Sequence, residues 1–354
     1  MEITTPMLNT VRAHEDMPAA SETLDARALS QDLARYREPL RRRALFELGV
    51  TIGLLLLSWG LMWAALDVGY WLTLLLAVPA AGFLVRLFMI QHDCGHGAFF
   101  RSKAVNDWIG RALGLLTFTP YDYWKRNHTI HHATSGNLDR RGIGDILTLT
   151  VAEYLSRSAL GRFGYRCYRN PLVMFGVGPA YLFLLQHRLP FSQMRGGWRP
   201  WTSAIATNAG IAALAGLAIW LIGVGPFFAV HLPVMLLAAS IGVWLFYVQH
   251  QFESVAWARD GNWAIQDAAL SGSSHYDLPA ILRWFTASIG VHHVHHLCSR
   301  IPFYRLSEVL RDHPRLKAMG RITLRESFRG VPLTLWDEAS QKLVSFRQVS
   351  AAKG

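Results

Sequence analysis

Charge is scarce in this sequence. Asp, Glu, Lys and Arg make up 17% of its 354 residues and hydrophobic residues 51%, whereas a soluble globular chain carries about 25% charged residues. So apolar a composition excludes a disordered chain, and at this length it favours one polytopic membrane domain over two soluble ones. Cysteine is nearly absent too. Cys94, Cys167 and Cys298 form no CxxC pair, which excludes a disulfide framework. The first apolar run begins only at Leu45, behind a polar leader that carries arginines, so the pattern of a secretory signal is missing. Repeats and low-complexity tracts are missing as well.

What the sequence does have is long apolar runs. Residues 45–66 carry one charge, Glu47, and residues 71–90 carry one, Arg86; residues 204–224 and 227–248 carry none. A helix of roughly 20 apolar residues spans the ~30 Å hydrocarbon core. These runs therefore predict four transmembrane helices in two hairpins. A fifth run, Leu172 to Gln186, contains Gly176, Gly178 and Pro179. As a helix it would reach only about 22 Å at 1.5 Å per residue, so it is expected to be interfacial or re-entrant.

Arginine and lysine set the orientation. Seven lie in residues 1–44, fourteen in 91–200 and thirteen in 251–354, while the links 67–70 and 225–226 contain none. Positive residues accumulate on the cytoplasmic side, which puts both termini and the long central segment in the cytoplasm. The net charge of +11 is then a topology signal, and no nucleic-acid partner is expected. Leu24, Leu29, Leu33, Tyr36 and Leu40 recur at helical spacing beside arginines, predicting an amphipathic helix on the membrane surface. Residues 1–44 thus read as a tail plus that helix, and 331–354 as a C-terminal tail.

Eight of the fifteen histidines fall in three clusters, all on the expected cytoplasmic side. His92 and His96 are four apart, one turn along a helix face. His128, His131 and His132 share the spacing i, i+3, i+4, and His292, His295 and His296 repeat it. Imidazole is the commonest metal-ligating side chain, and eight imidazoles suit two ions of about four nitrogens each. The expected architecture is an all-α membrane protein whose cytoplasmic helical cap carries a histidine-ligated di-metal site. Imidazole suits zinc, copper, iron and nickel alike, so the donors alone do not choose the metal. His293 sits at the edge of the ligand face, and His14, His187, His231, His275 and His313 stand alone as non-ligands. Asp93, Asp139, Asp145, Glu253 and Asp277 lie near the metal-bearing segments as carboxylates that could orient the rings. Phe118, Tyr121, Tyr123 and Trp124, just before the second cluster, are candidate lining for an apolar tunnel.

His92-Asp93-Cys94-Gly95-His96, His128 to His132 and His292 to His296 together resemble the three histidine boxes of the membrane fatty acid desaturases and their hydroxylase relatives. The neighbouring stretches Leu282 to Thr286 and Ser299 to Pro302 resemble the setting of the third box in bacterial and plastid-like members. The resemblance covers about residues 40 to 330, so 45–330 is read as the desaturase domain. It implies two iron ions held almost wholly by histidine, with O2 and two electrons used to remove two hydrogens from an acyl chain. It also implies a further ligand near the end of the last span, for which His250 is the candidate, and a bacterial inner-membrane location. No cytochrome b5-like domain is visible, so a separate, ferredoxin-like donor is expected. The Cys94-Gly95-His96 context resembles acyl-lipid desaturases acting at the Δ12 (omega-6) position.

No residue separates desaturation from oxygen insertion, so a hydroxylase, ketolase or epoxygenase of the same fold stays open. An intramembrane zinc hydrolase built on His92 and His96 is a more distant alternative. It would need Asp93 to serve as the general base that zincins supply with Glu, and it would leave two clusters unused. A metal carrier would be expected to place ionisable residues inside its spans.

Overall fold

The computed structural model describes residues 25–189 and 197–351; His14, Leu24 and most of the expected N-terminal tail lie outside them. Four helices are long and apolar enough to cross a membrane: Arg41–Ala65, Tyr70–Gly95, Arg199–Ile222 and Val224–His250. Each overruns its apolar stretch, because a helix ends where capping ends it and not where lipid does. Tyr70–Gly95 thereby continues past Ile90 to carry His92, and Val224–His250 continues past Val248 to carry His250. The last two helices are joined through Gly223 at φ 86°, a left-handed conformation that favours glycine.

Tyr70–Gly95 is the most buried of the four and Arg199–Ile222 the least. The only charges within the first two apolar runs meet each other. The Arg86 guanidinium pairs with Glu47, which also takes Arg43 at 2.6 Å, and it lies 4.2 Å from the Trp284 ring centre. A buried charge needs such partners. Val173–Gln186 is helical and short; its Phe175 packs edge-on against Trp244 and Tyr247 of the last long helix.

The fold is helical for the most part, as expected, with a few short strands besides. Leu149–Thr150 pairs in parallel with Leu333–Asp337, which pairs antiparallel with Lys342–Ser345, and His275–Asp277 pairs in parallel with Arg321–Thr323. These strands are only two to five residues long, too short for alternation to show in a helix-rich sequence. Within 331–354, expected as a tail, Leu333–Asp337 and Lys342–Ser345 form a hairpin whose Trp336 is fully buried against Leu138, Phe252 and Leu343. Of the segment expected as an amphipathic helix, Ala26–Asp32 is helical, and its Leu29, with Leu33 and Tyr36 just beyond it, packs into the protein core. Tyr36 donates to Asp312 at 2.7 Å, and Ser30 to the Leu297 carbonyl at 3.4 Å.

Candidate metal centre

Three helices bring the histidine clusters together. His92 lies in the last turn of Tyr70–Gly95 and His96 just after it, as the C-terminal cap. Tyr121–Thr134 carries His128, His131 and His132. The short helix His292–Leu297 carries the third cluster; the N–H groups of His292 and His293 both donate to the Ser274 carbonyl, at 3.2 and 3.3 Å.

Nine imidazoles converge in two adjacent groups. His92, His96, His128, His132 and His295 form one, and His131, His250, His292 and His296 the other, with the potential ligand atoms of each group within 4.8 Å of one another. Neighbouring Nε2 atoms are evenly spaced: 3.0 Å for His96–His128, 3.1 Å for His128–His132 and 3.1 Å for His132–His295. In the second group the spacings are 3.1 Å for His131–His250, 3.0 Å for His250–His292 and 3.1 Å for His292–His296.

The opposite ring atoms show what these contacts are. His131 Nδ1 lies 2.5 Å from Asp145 Oδ1, and His250 Nδ1 lies 3.2 Å from the Gly272 carbonyl. A carbonyl or ionised carboxylate can only accept, so each Nδ1 carries a proton, and with both rings in the neutral, ligating form each Nε2 presents a bare lone pair. Two lone pairs facing each other at 3.1 Å cannot form a hydrogen bond. A cation between them resolves the conflict, and the donor set therefore fits a metal. Imidazole nitrogens bind metals at about 2.0–2.1 Å, so neighbouring Nε2 atoms at these spacings are close enough together to share one ion. Burial, followed by the charges of neighbouring histidines, holds His96, His128, His132, His292, His295 and His296 well below the ordinary histidine value. They are neutral, which is the ligating form.

Two of the expected carboxylates stand behind the rings. Asp145 does so because Gly144, at φ 73°, presses against the second helix; a Cβ there would meet the Asn127 carbonyl at 3.0 Å and His131 Cβ at 3.2 Å. Asp93 Oδ1 lies 3.4 Å from His92 Nδ1, and its Oδ2 accepts the Phe303 N–H at 2.7 Å. With both oxygens engaged, Asp93 is not placed as a hydrolytic base. The other three require correction. Glu253 is exposed, Asp277 pairs with Arg321 at 2.7 Å, and Asp139 pairs with Arg259 at 2.6 Å. None of the three touches a ligand ring, because nearness in sequence to a histidine segment does not fix nearness in space.

His293 turns away from both groups, its Nε2 donating to the Leu316 carbonyl at 2.9 Å. His187, His231, His275 and His313 also lie outside both groups. Cys94 and Cys298 are buried thiols, and neither belongs to either group. Of the candidate lining aromatics, Trp124 reaches the centre, stacked 4.7 Å from His128. Tyr123 packs edge-on to His187, and Phe118 sits under Arg188. Tyr121 does something the sequence did not suggest. Its hydroxyl lies 2.9 Å from both the Cys94 carbonyl and Asp107, which also accepts from Lys125 at 2.7 Å and Lys103 at 3.0 Å. This cluster joins the first box to the helix of the second. Lys103 and Asp107 are an i, i+4 pair on one helix, but Tyr121 and Lys125 come from the next, and no spacing signals that meeting.

Comparison with known proteins agrees with this geometry. Residues 68–327 match the fatty acid desaturase family. The chain belongs to that family. It is similar to a Bacillus subtilis protein named fatty acid desaturase, 44% identical over 321 residues and covering 91% of each chain. It is similar at 28% identity to a Synechocystis protein named sn-1 acyl-lipid omega-3 desaturase (ferredoxin), over 62% of this chain and 61% of that one. A Synechocystis sn-1 oleoyl-lipid 12-desaturase is 26% identical over 63% of each chain. Membership of the desaturase family makes this chain an oxidoreductase of lipid metabolism, and its apolar helices are compatible with a membrane.

Proposed function

We propose that this chain is a multi-pass membrane enzyme that introduces a double bond into a fatty acyl chain at a histidine-held di-iron centre. The observation carrying the reading is the facing lone pairs of His131 and His250, within a double group of nine imidazoles. The net reaction converts –CH2–CH2– to –CH=CH– while O2 becomes two waters. Two of the four electrons come from the acyl chain with its two hydrogens; a ferredoxin-type partner supplies the other two electrons, and two protons are taken from water. The relatives named as ferredoxin-dependent support that partner and a lipid substrate.

Bound iron would supply the oxygen activation. The chain's own residues do the rest. Asp145, the Gly272 carbonyl and Asp93 keep protons at Nδ1 and so keep Nε2 free to bind metal. Trp124 offers an apolar face beside His92 and His128, against which a methylene can lie in reach of the metals and away from water. In this reading 45–330 is the catalytic domain and the histidine-bearing segments face the cytoplasm of a bacterial inner membrane.

Regiochemistry is the finer part of the proposal, and Δ12 is the specific expectation. The test is gas chromatography of lipids from a host that makes oleate but no dienes, expressing this chain with iron and a ferredoxin system, against His296→Ala. Linoleate supports the whole proposal. A new monoene keeps the desaturase and removes Δ12. A hydroxy acid would favour the oxygen-inserting alternative, and an unchanged profile with one zinc per chain would end the desaturase reading.

A further inference from the structure

We propose that Arg169 is a positioning residue for the metal centre, clamping the residues that flank His250 and so aiming that ring into the four-histidine group. The inference rests on the metal-centre reading above.

Arg169 is only 4% exposed, and its hydrogen-bond acceptors are all neutral. Its Nη2 donates to the Tyr247 hydroxyl at 3.3 Å, Gln251 Oε1 at 3.1 Å and the Leu333 carbonyl at 3.1 Å. Its Nη1 donates to the Leu147 carbonyl and Thr148 Oγ1, both at 3.3 Å. A buried guanidinium without a carboxylate is costly. Here its planar fork of donors is satisfied by three separate segments at once.

Those segments bracket one histidine. His250 is the last residue of its helix, and Gln251 has left helical geometry at φ −129°, ψ 79°, so no further turn holds the ring from beyond. Tyr247, one turn before, and Gln251, one residue after, are instead tied to residues just ahead of two strands. Tyr247 donates to the Gly330 carbonyl at 3.0 Å and Gln251 Nε2 to Thr148 at 3.0 Å. At Gly330 the two stretches of backbone are pressed together, since a Cβ would lie 2.5 Å from the Gln251 carbonyl. Arg169 is the hub of this clamp, and it links the C-terminal hairpin to the metal centre.

The test is iron binding by anaerobically purified full-length chain, read as irons per chain across an Fe(II) titration, with the thermal midpoint of the iron-free form measured alongside. Wild type, Arg169→Met, Arg169→Lys, His250→Ala and the double variant Arg169→Met/His250→Ala are compared. Arg169→Met should weaken the second iron by about tenfold to a hundredfold. Arg169→Lys should not rescue it, because an ammonium lacks the fork. With His250 already replaced, Arg169→Met should change iron affinity no further, an independence that a general loss of stability would not produce. Should Arg169→Met fail to fold, Tyr247→Phe removes only the hydroxyl. It should weaken the second iron less, and not at all in the His250→Ala background. Two irons bound at wild-type affinity by Arg169→Met, or an equal extra loss in the His250→Ala background, would overturn the clamp alone. A wild-type chain that binds no iron would overturn the clamp and the metal reading together.

Discussion

His131 and Asp145 are joined by a 2.5 Å contact between Nδ1 and Oδ1, the carboxylate being held in place by a left-handed glycine at 144. The pair sets the tautomer of His131 and points its lone pair at the space shared with His250. Replacing Asp145 with Ala should weaken metal binding by about tenfold to a hundredfold. Asp145→Asn, which keeps an accepting oxygen, should lose less. Metal titration decides it, and wild-type affinity in both variants would deny Asp145 this role.

His250 and His293 should differ sharply. His250→Ala leaves its group with three imidazoles, so iron content should fall from about two ions per chain toward one. His293→Ala loses a hydrogen bond to the Leu316 carbonyl, worth about 1 kcal/mol, and should keep both ions. Elemental analysis with a melting curve separates the two effects. Equal loss of iron in both would show that the third helix is rotated relative to the arrangement described.

Acid should act through Asp107. Burial alone would raise its pKa, but hydrogen bonds from Lys125, Lys103 and Tyr121 outweigh burial and hold it at about 2. The usual value is about 3.9. A depressed carboxyl contributes its full stability above the unfolded value, and that contribution disappears as pH falls from about 4 through about 2. Asp107→Asn should lower stability at neutral pH by about 1.5–3 kcal/mol and flatten the melting temperature across that acid window. An unchanged profile would mean the cluster contributes nothing to the fold.

Membrane sidedness can be read with thiol reagents. Cys167 is exposed, whereas Cys94 and Cys298 are buried, and Trp198 is 80% exposed. If Val173–Gln186 does not cross the bilayer, Cys167 and a Trp198→Cys variant should label from the same side in right-side-out and inverted vesicles. Opposite sides would place the third box across the membrane from the first and break the common centre.

Much of the site was legible because its chemistry is local in sequence. HxxxH and HxxHH place rings on one helix face wherever those helices go, and residues 71–90 and 227–248 announce long apolar helices by composition alone. The boundary errors have the same origin. Apolar runs end at lipid, whereas the helices run on to Gly95 and His250 and carry ligands beyond those runs. Leu29, Leu33 and Tyr36 show the limit of periodicity: a helical stripe signals something apolar to bury against, and here that partner is the protein core.

The sequence by itself determined the long apolar helices, the three clusters and the imidazole donor set, because periodicity and spacing are properties of one segment at a time. Tertiary structure alone decided that His250 joins the second group, that Asp145 and not Glu253 or Asp277 stands behind a ring, and that Arg169 reaches both sides of His250. These depend on contacts across 14 positions for His131 and Asp145, 82 for Arg169 and Gln251, and 119 for His131 and His250. A buried polar atom takes whatever partner the packing brings within about 3 Å, and no single segment contains that information.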